Sequence, residues 1–447
     1  MKNALFAILI ITTVGCDVES KKEFSKGDDI RTIISEFDGQ LKKDLRDDIR
    51  TLISEFGKQL KQDVEDDSIN GSISMAIVKG NEIIWSEAYG TSDINNGMIA
   101  DTSTIYRTGS ISKSFTAFLM MQLVQEGIID LKEPIEAYLP EIINLDGYTD
   151  STKITFQQLA SHTSGLSRDP VLVSAASGPI EEWENKILLS IPKTPFHSAP
   201  GERFYYSNIG YGILGLALSR AADKSFIDLV KDKIFIPLSM NNSFFIVPYD
   251  KLSNLSKGME RGTSRYLDMQ TPEKEHAGRG YGVPNGGIYS TPNDLAKFMI
   301  ANMGYTESLN SYNLELMQST KIPEREKWGN YGFGLLLYQD SSISTVGHGG
   351  MVSGYTADFL FEKECQYGVI LMRNYNWGMT KLNSRSVTLL RKLKELDAKE
   401  GKQKEHKQKL TASFIKSEKI IEQCNVTSLT IDHIGVARRP YYGITLA

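Results

Sequence analysis

Cysteine is scarce in this chain, with three among 447 residues. One of them, Cys16, closes an N-terminal apolar run, which leaves Cys365 and Cys424 for the body of the chain. Two cysteines cannot build the disulfide framework of a small secreted scaffold, and neither stands near a histidine at a metal-ligand spacing. Both read as structural or incidental. Positive charge is not in excess either. Fifty Lys and Arg against 55 Asp and Glu give a net charge of −5, and a pI near 5.8 gives no reason to expect nucleic-acid binding. The N-terminal apolar run, Ala4 to Ile11 in MKNALFAILIITTVGCDVES, is too short to span a bilayer.

What that run does resemble is a secretory signal, with one lysine ahead of it and Thr-Thr-Val-Gly-Cys behind. Gly15-Cys16 is similar to the lipobox of bacterial lipoproteins, although Thr13 and Val14 fit it only in part. The resemblance implies cleavage after residue 15, acylation of Cys16 as a membrane anchor, and work outside the cytoplasm in the cell envelope. Plain secretion and an uncleaved anchor stay open. The length and a hydrophobic share of 40% allow a large core in two or three domain-sized units.

Residues 28–65 hold a tandem repeat, DDIRTIISEFDGQLKKDLR followed at once by DDIRTLISEFGKQLKQDVE, 19 residues long with 13 identities. Its apolar residues recur at spacings of three and four, which predicts an amphipathic helix or helix pair. One copy is expected to pack on a globular domain while the other acts as a spacer. Self-association through 28–65 is the competing reading, weakened because a 19-residue period keeps no heptad seam. From Ile73, ISMAIVKGNEIIWSEAYG reads as two apolar strands around a Gly-Asn turn. Helical patterns dominate from about 110 to 235. Strand signals return in 333–338, 355–362 and 367–375. This order predicts an α+β fold whose antiparallel sheet is built from both chain ends, flanked by helices, with an inserted mostly helical subdomain. The expected divisions are a signal at 1–16, a helical spacer at 17–46, the main domain at 47–396, and a charged linker and tail at 397–447.

YRTGSISKSFTAFL (106–119) carries the first chemical signal. A nucleophilic serine needs a base within hydrogen-bond reach. Residues three apart share a helix face, so Lys113 can meet Ser110 but not Ser112 or Ser114. Burial or a nearby cation can make the lysine a base, and a helix start favours developing negative charge. Alternatively Ser110 is an ordinary N-cap after Gly109, on a helix ending near Gly127. S-x-x-K recurs at Ser190–Lys193 and Ser413–Lys416, so this pattern alone does not decide.

Two distant stretches change the balance. PGERFYYSNIGYGILG (200–215) holds Tyr206-Ser207-Asn208, and GHGGMVSGYTADF (347–359) places His348-Gly349-Gly350 before an apolar strand. In order and separation, 96 and then 142 residues, S-x-x-K, Y-x-N and H-x-G resemble the penicillin-recognising serine hydrolases, which include class C β-lactamases, D,D-peptidases and esterases. TFQQLASHTSGL (155–166) and NGGIYSTPNDLAKFM (285–299) are similar to the same family, and the likeness covers about residues 50–395. Within it, His162 is expected to be structural and not a catalytic base.

The resemblance implies a β-lactamase/transpeptidase-like fold and an acyl-enzyme on Ser110. Lys113 and Tyr206 would share the proton traffic, the lysine's charge holding the phenol's pKa down. Asn208 would bind the acyl side of a small peptide or ester substrate, and His348 would orient Tyr206 or meet the leaving group. Gly349 and Gly350 would let substrate approach the strand, and the N–H groups of Ser110 and Met351 would form the oxyanion hole. No metal or organic cofactor is needed. His348 in place of a lysine removes a fixed charge suited to a β-lactam carboxylate, so D-peptidase, D-aminopeptidase or esterase chemistry is expected ahead of a true β-lactamase. A non-catalytic envelope binding or scaffold protein is the reading from another class.

Overall fold

The computed structural model describes residues 30–261, 267–322, 330–399, 401–402, 429–434 and 441–446. Cys16, Cys424 and the expected signal lie outside them. The chain divides into two compact units, one of Met1–Leu52 with Glu395–Ala447 and one of Ile53–Lys394. In the first, Leu429–Ile434 pairs antiparallel with Tyr441–Leu446, in a tail whose sequence carries little pattern. Among the described residues no helix is long and apolar enough to cross a membrane.

The larger unit is organised around one antiparallel sheet of eight strands. They are β1 (Ser72–Lys79), β2 (Glu82–Asp93), β3 (Met98–Ile99), β6 (Asn330–Tyr331), β7 (Leu336–Gln339), β8 (Ser344–Val352), β9 (Tyr355–Glu362) and β10 (Tyr367–Arg373), in the order β3-β2-β1-β10-β9-β8-β7-β6. Two further short strands, β4 (Tyr106–Arg107) and β5 (Tyr289–Ser290), pair separately. The seam where the N-terminal hairpin meets the C-terminal meander is β1 against β10, from Ile73↔Arg373 to Lys79↔Tyr367. Every residue of β10, and all of β1 but its last, is buried. Such continuous burial means that both faces of the sheet centre are covered.

One face is covered by helices of the insertion. Helix α2 (Ser112–Gln125) is buried from Ser112 to Leu123. Its Phe115 stacks on Phe298 of α5 (Pro292–Asn302) with ring centroids 3.7 Å apart, and Phe298 in turn meets Phe359 of β9 at 5.7 Å. On the other flank, α1 (Ile30–Asp66) buries Ile53, Phe56, Leu60 and Val64. Its Asp63 takes a two-pronged ion pair from Arg385, at 2.7 and 2.8 Å, in the closing helix α6 (382–399). Four apolar positions of the 28–65 repeat are thus used inside the larger unit.

The α+β architecture with a sheet from both chain ends is the one the sequence predicts. The insertion is helical as expected, with short α and 3-10 segments around two 14-residue helices, α2 and α3 (Asn208–Ala221). His348-Gly349-Gly350 precedes the apolar strand β9, as expected, and itself lies inside β8. Glycines deplete the β-branched signal by which strands are recognised, which hides this one.

Candidate active site

The segment leading to Ser110 is tied to the sheet before it turns. The Tyr106 hydroxyl bonds Ser72 Oγ and Ser74 Oγ of β1, at 2.9 and 2.7 Å. Gly109 then adopts φ +54°, which favours glycine, and Gly109–Ile111 forms a 3-10 turn ahead of α2. A side chain at 109 would also sit 2.7 Å from Met351 N. Ser110 is therefore not the N-cap; that position is Ile111, and no side-chain cap bond is made. Ser112 Oγ meets Thr108 Oγ1 and the Ile288 N–H, and Ser114 Oγ donates to Gly334 O, so both pack the helix.

Lys113 is fully buried. Its Nζ lies 3.2 Å from Ser110 Oγ and 3.1 Å from Asn285 O. Burial is the main reason its pKa falls well below the usual lysine value, and the Arg279 and Arg168 guanidiniums push it further down against Asp169. Asn285 reaches this position because α3 is rich in glycine. A Cβ at Gly215 would collide with Pro284 Cγ at 2.4 Å, so the bare backbone lets α4 (Val283–Gly286) pack close.

Tyr206 stands on the other side of Ser110, hydrogen-bonded to it, half-buried, with Lys113 Nζ 4.9 Å from its ring centroid. Burial raises the phenol to about 12, opposed by the Ser110 bond and by Arg168. Burial thus disfavours both the ammonium and the phenolate, the two charged forms that the expected pairing would use.

Asn208 opens α3. Its N–H donates to Arg168 O (2.6 Å), its Nδ2 to Asp169 Oδ1 (2.7 Å), and its carbonyl accepts from Asn285 Nδ2 (3.2 Å). Asp169 also accepts from the Tyr281 hydroxyl. Arg168, 61% exposed, lies over the Tyr206 ring at 5.1 Å. Arg168, Asp169, Tyr281, Arg279 and Tyr331 have no motif in the sequence to mark them. Only Asn285 lay in a stretch that the family likeness singled out.

His348 lies on β8 near Tyr206, with ring centroids 6.3 Å apart. It is 4% exposed, and both ring nitrogens are engaged. Nδ1 is 2.6 Å from Gly349 O and carries the proton, which leaves Nε2 to accept from the Tyr331 hydroxyl at 3.1 Å. Burial and Lys113 lower its pKa to about 3. It is a neutral wall residue. Of the glycines after it, Gly350 has a reason besides the expected one. A Cβ at Gly350 would lie 1.9 Å from Thr108 O and 3.2 Å from Ser110 N, so the close approach is to the nucleophile turn. Gly349 faces outward, its nearest neighbour Ala357 O at 4.0 Å.

Strand β7 pairs with β8 only over Ser344–Gly347. From His348 onward that edge of β8 lies against the 3-10 turn: a Cβ at Gly109 would lie 2.7 Å from Met351 N, and one at Gly350 3.2 Å from Ser110 N. Backbone donors at such a contact, beside a hydroxyl with a buried lysine, are groups of the kind that can accept the charge of a tetrahedral adduct. Among the described residues no cluster of His, Cys, Asp and Glu could hold a metal ion.

A family model described as Beta-lactamase matches residues 57–386. Beta-lactamase-like protein 4 of Dictyostelium discoideum is 27% identical, over 67% of this chain and 55% of its own length. The chain thus spans about half the length of the curated relatives it matches. The octameric penicillin-binding protein homologue from Pyrococcus abyssi superposes with a TM-score of 0.63 at 25% identity, covering 73% of this chain and 74% of that one. A D-stereospecific amidohydrolase from Streptomyces sp. shares the fold, with a TM-score of 0.61 at 21% identity over 75% and 97%.

Proposed function

The chain belongs to the beta-lactamase family of serine hydrolases, and we propose that it is an active member which acylates Ser110 and cleaves a peptide bond of D-amino-acid type or an ester. The observation that carries this reading is Lys113 Nζ, fully buried and 3.2 Å from Ser110 Oγ. Keeping a lysine there is costly, and a scaffold has no use for it. In the reaction the neutral amine takes the Ser110 proton as Oγ attacks the carbonyl carbon. The resulting oxyanion is received by the N–H groups of Ser110 and Met351. Tyr206 gives its phenolic proton to the departing amine or alcohol and is refilled from the Lys113 ammonium. Water then enters by the reverse relay and releases the acid. Asn208 binds the acyl side.

A β-lactam preference finds less support. The third motif contributes a buried neutral histidine, where a fixed cation would suit a β-lactam carboxylate. The test is labelling of the full chain with a fluorophosphonate and, in parallel, a fluorescent penicillin. The expected result is an adduct on Ser110 by mass spectrometry, absent in Ser110→Ala and slowed in Lys113→Ala. Folded protein that takes up neither probe would overturn the enzyme reading. Rapid turnover of penicillin would overturn the peptidase or esterase preference in favour of a β-lactamase.

A further inference from the structure

His162 does no work in the reaction above, yet its surroundings are specific. It is fully buried and holds φ +60°, in the left-handed region that side chains other than Asn, Asp and His seldom enter. In that state its carbonyl and its ring reach the same short segment. The carbonyl accepts from Tyr205 N–H at 2.8 Å, and Nδ1 accepts from Ser207 N–H at 3.0 Å. The backbone donors on both sides of Tyr206 therefore end on one residue. The imidazole also lies along the Tyr206 ring, with centroids 4.1 Å apart and planes at 34°.

Because Nδ1 accepts, the ring proton sits on Nε2, a buried atom without a hydrogen-bond partner among the described residues. Phe204, Tyr211 and Tyr331 surround the ring at 5.7, 5.0 and 4.9 Å. An unpartnered donor and a left-handed backbone are both unfavourable, and neither is needed merely to fill space. Strain held in place by its surroundings marks functional positions.

We propose that His162 is the positioning residue for Tyr206, a two-point backbone clamp with a ring face that holds the phenol against Ser110. The proposal rests on the reading of Tyr206 as the proton carrier of an acylating serine. Burial is the main reason that the imidazole's pKa is lowered, which favours the neutral ring whose Nδ1 accepts from Ser207 N–H. The clamp explains how a phenol only half-buried is kept in one place in the cleft wall.

Three variants separate the parts. His162→Phe keeps a ring but loses the acceptor, and strands the Ser207 N–H. Small displacements of a reacting group can cost ~10²-fold in rate, and a loss of that order in the acylation rate constant is expected, with the probe's dissociation constant little changed. His162→Asn keeps a short acceptor and tolerates the left-handed backbone, so its rate stays within about tenfold of the parent. In a Tyr206→Phe background, His162→Phe adds no further loss, because the clamp acts through the phenol. Circular dichroism checks that each variant folds. A wild-type rate in His162→Phe, a collapse of the rate in folded His162→Asn, or full additivity with Tyr206→Phe would each overturn the clamp. If His162→Phe does not fold, the His162→Asn rate decides alone. Parent protein that never acylates overturns the enzyme reading instead.

Discussion

Lys113 and Tyr206 together set how the reaction responds to pH. Attack by Ser110 requires the amine form of Lys113, so acylation falls as the pH drops through a pKa lying well below the ordinary lysine value. Neither site histidine can produce that limb: His348 titrates near 3, and His162 is also held well below the imidazole range. Arg279 is the largest charge acting on Lys113. Arg279→Gln removes it, and the acid limb of the acylation rate moves to higher pH, measured by fluorophosphonate labelling from about pH 5 upward, where carboxylates are already ionised. An unmoved limb would assign it to another group. The stability sign is the opposite of an ion pair's. Between the lowered folded pKa and the unfolded value, the unfolded chain binds more protons at Lys113, so folding becomes more stable as the pH rises through that window. Replacing Lys113 by Met thus stabilises the protein at neutral pH, and the gain shrinks as the pH climbs toward the unfolded value. The i,i+3 logic that selects Ser110 over its neighbours was legible in the sequence. The proton's location was not, because it depends on burial and on Arg168 and Arg279, which contact the site only through the fold.

Among the elements, β8 and the 3-10 turn at Ser110 matter most, since their contact gathers the two backbone donors. Gly350 is where the contact is tightest, and the three atoms nearest a Cβ there, Thr108 O, Thr108 C and Ser110 N, are backbone that cannot rotate away. Gly350→Ala is expected to force the turn off the strand. Losing an aligned donor costs about 10²–10³ in rate, and a fall of that size in Ser110 acylation is the expected outcome. Gly349→Ala, one residue away but facing open space, should acylate like the parent. Comparable rates for the two variants would mean that the turn and strand can separate without consequence. The sequence disclosed β1, β2, β9 and β10, whose largely apolar runs are short and bounded by turn residues. It concealed β8, whose glycines serve this contact and erase the strand pattern in doing so. The family likeness supplied His348-Gly349-Gly350, but the reasons for the two glycines came only from their opposite faces.

At the scale of the whole molecule, the tandem repeat raises the question of which copy the larger unit uses. Ile53, Phe56, Leu60 and Val64 are buried and Asp63 pairs with Arg385, all from the second copy. Nineteen residues earlier stand Ile34, Phe37, Leu41, Leu45 and Asp44, nearly the same set. Apolar pattern and ion pair therefore cannot choose the register. Gly57 can. A Cβ at 57 would lie 2.3 Å from the Tyr89 hydroxyl and 3.2 Å from Glu87 Oε2, and the first copy has Asp38 at the matching place. An aspartate there crowds Tyr89 and sets its charge beside Glu87. Deleting 28–46 should accordingly leave the melting temperature and Ser110 acylation unchanged. Deleting 47–65 slides the first copy into the same register, Asp38 against Tyr89, and overpacking of this kind costs about 1–3 kcal/mol. Asp38→Gly within that second deletion removes the crowding and the charge together, so it should recover most of the lost stability. Thermal denaturation of the three chains tests the argument. Equal melting temperatures for the two deletions would show that the copies are interchangeable and that Gly57 does not set the register.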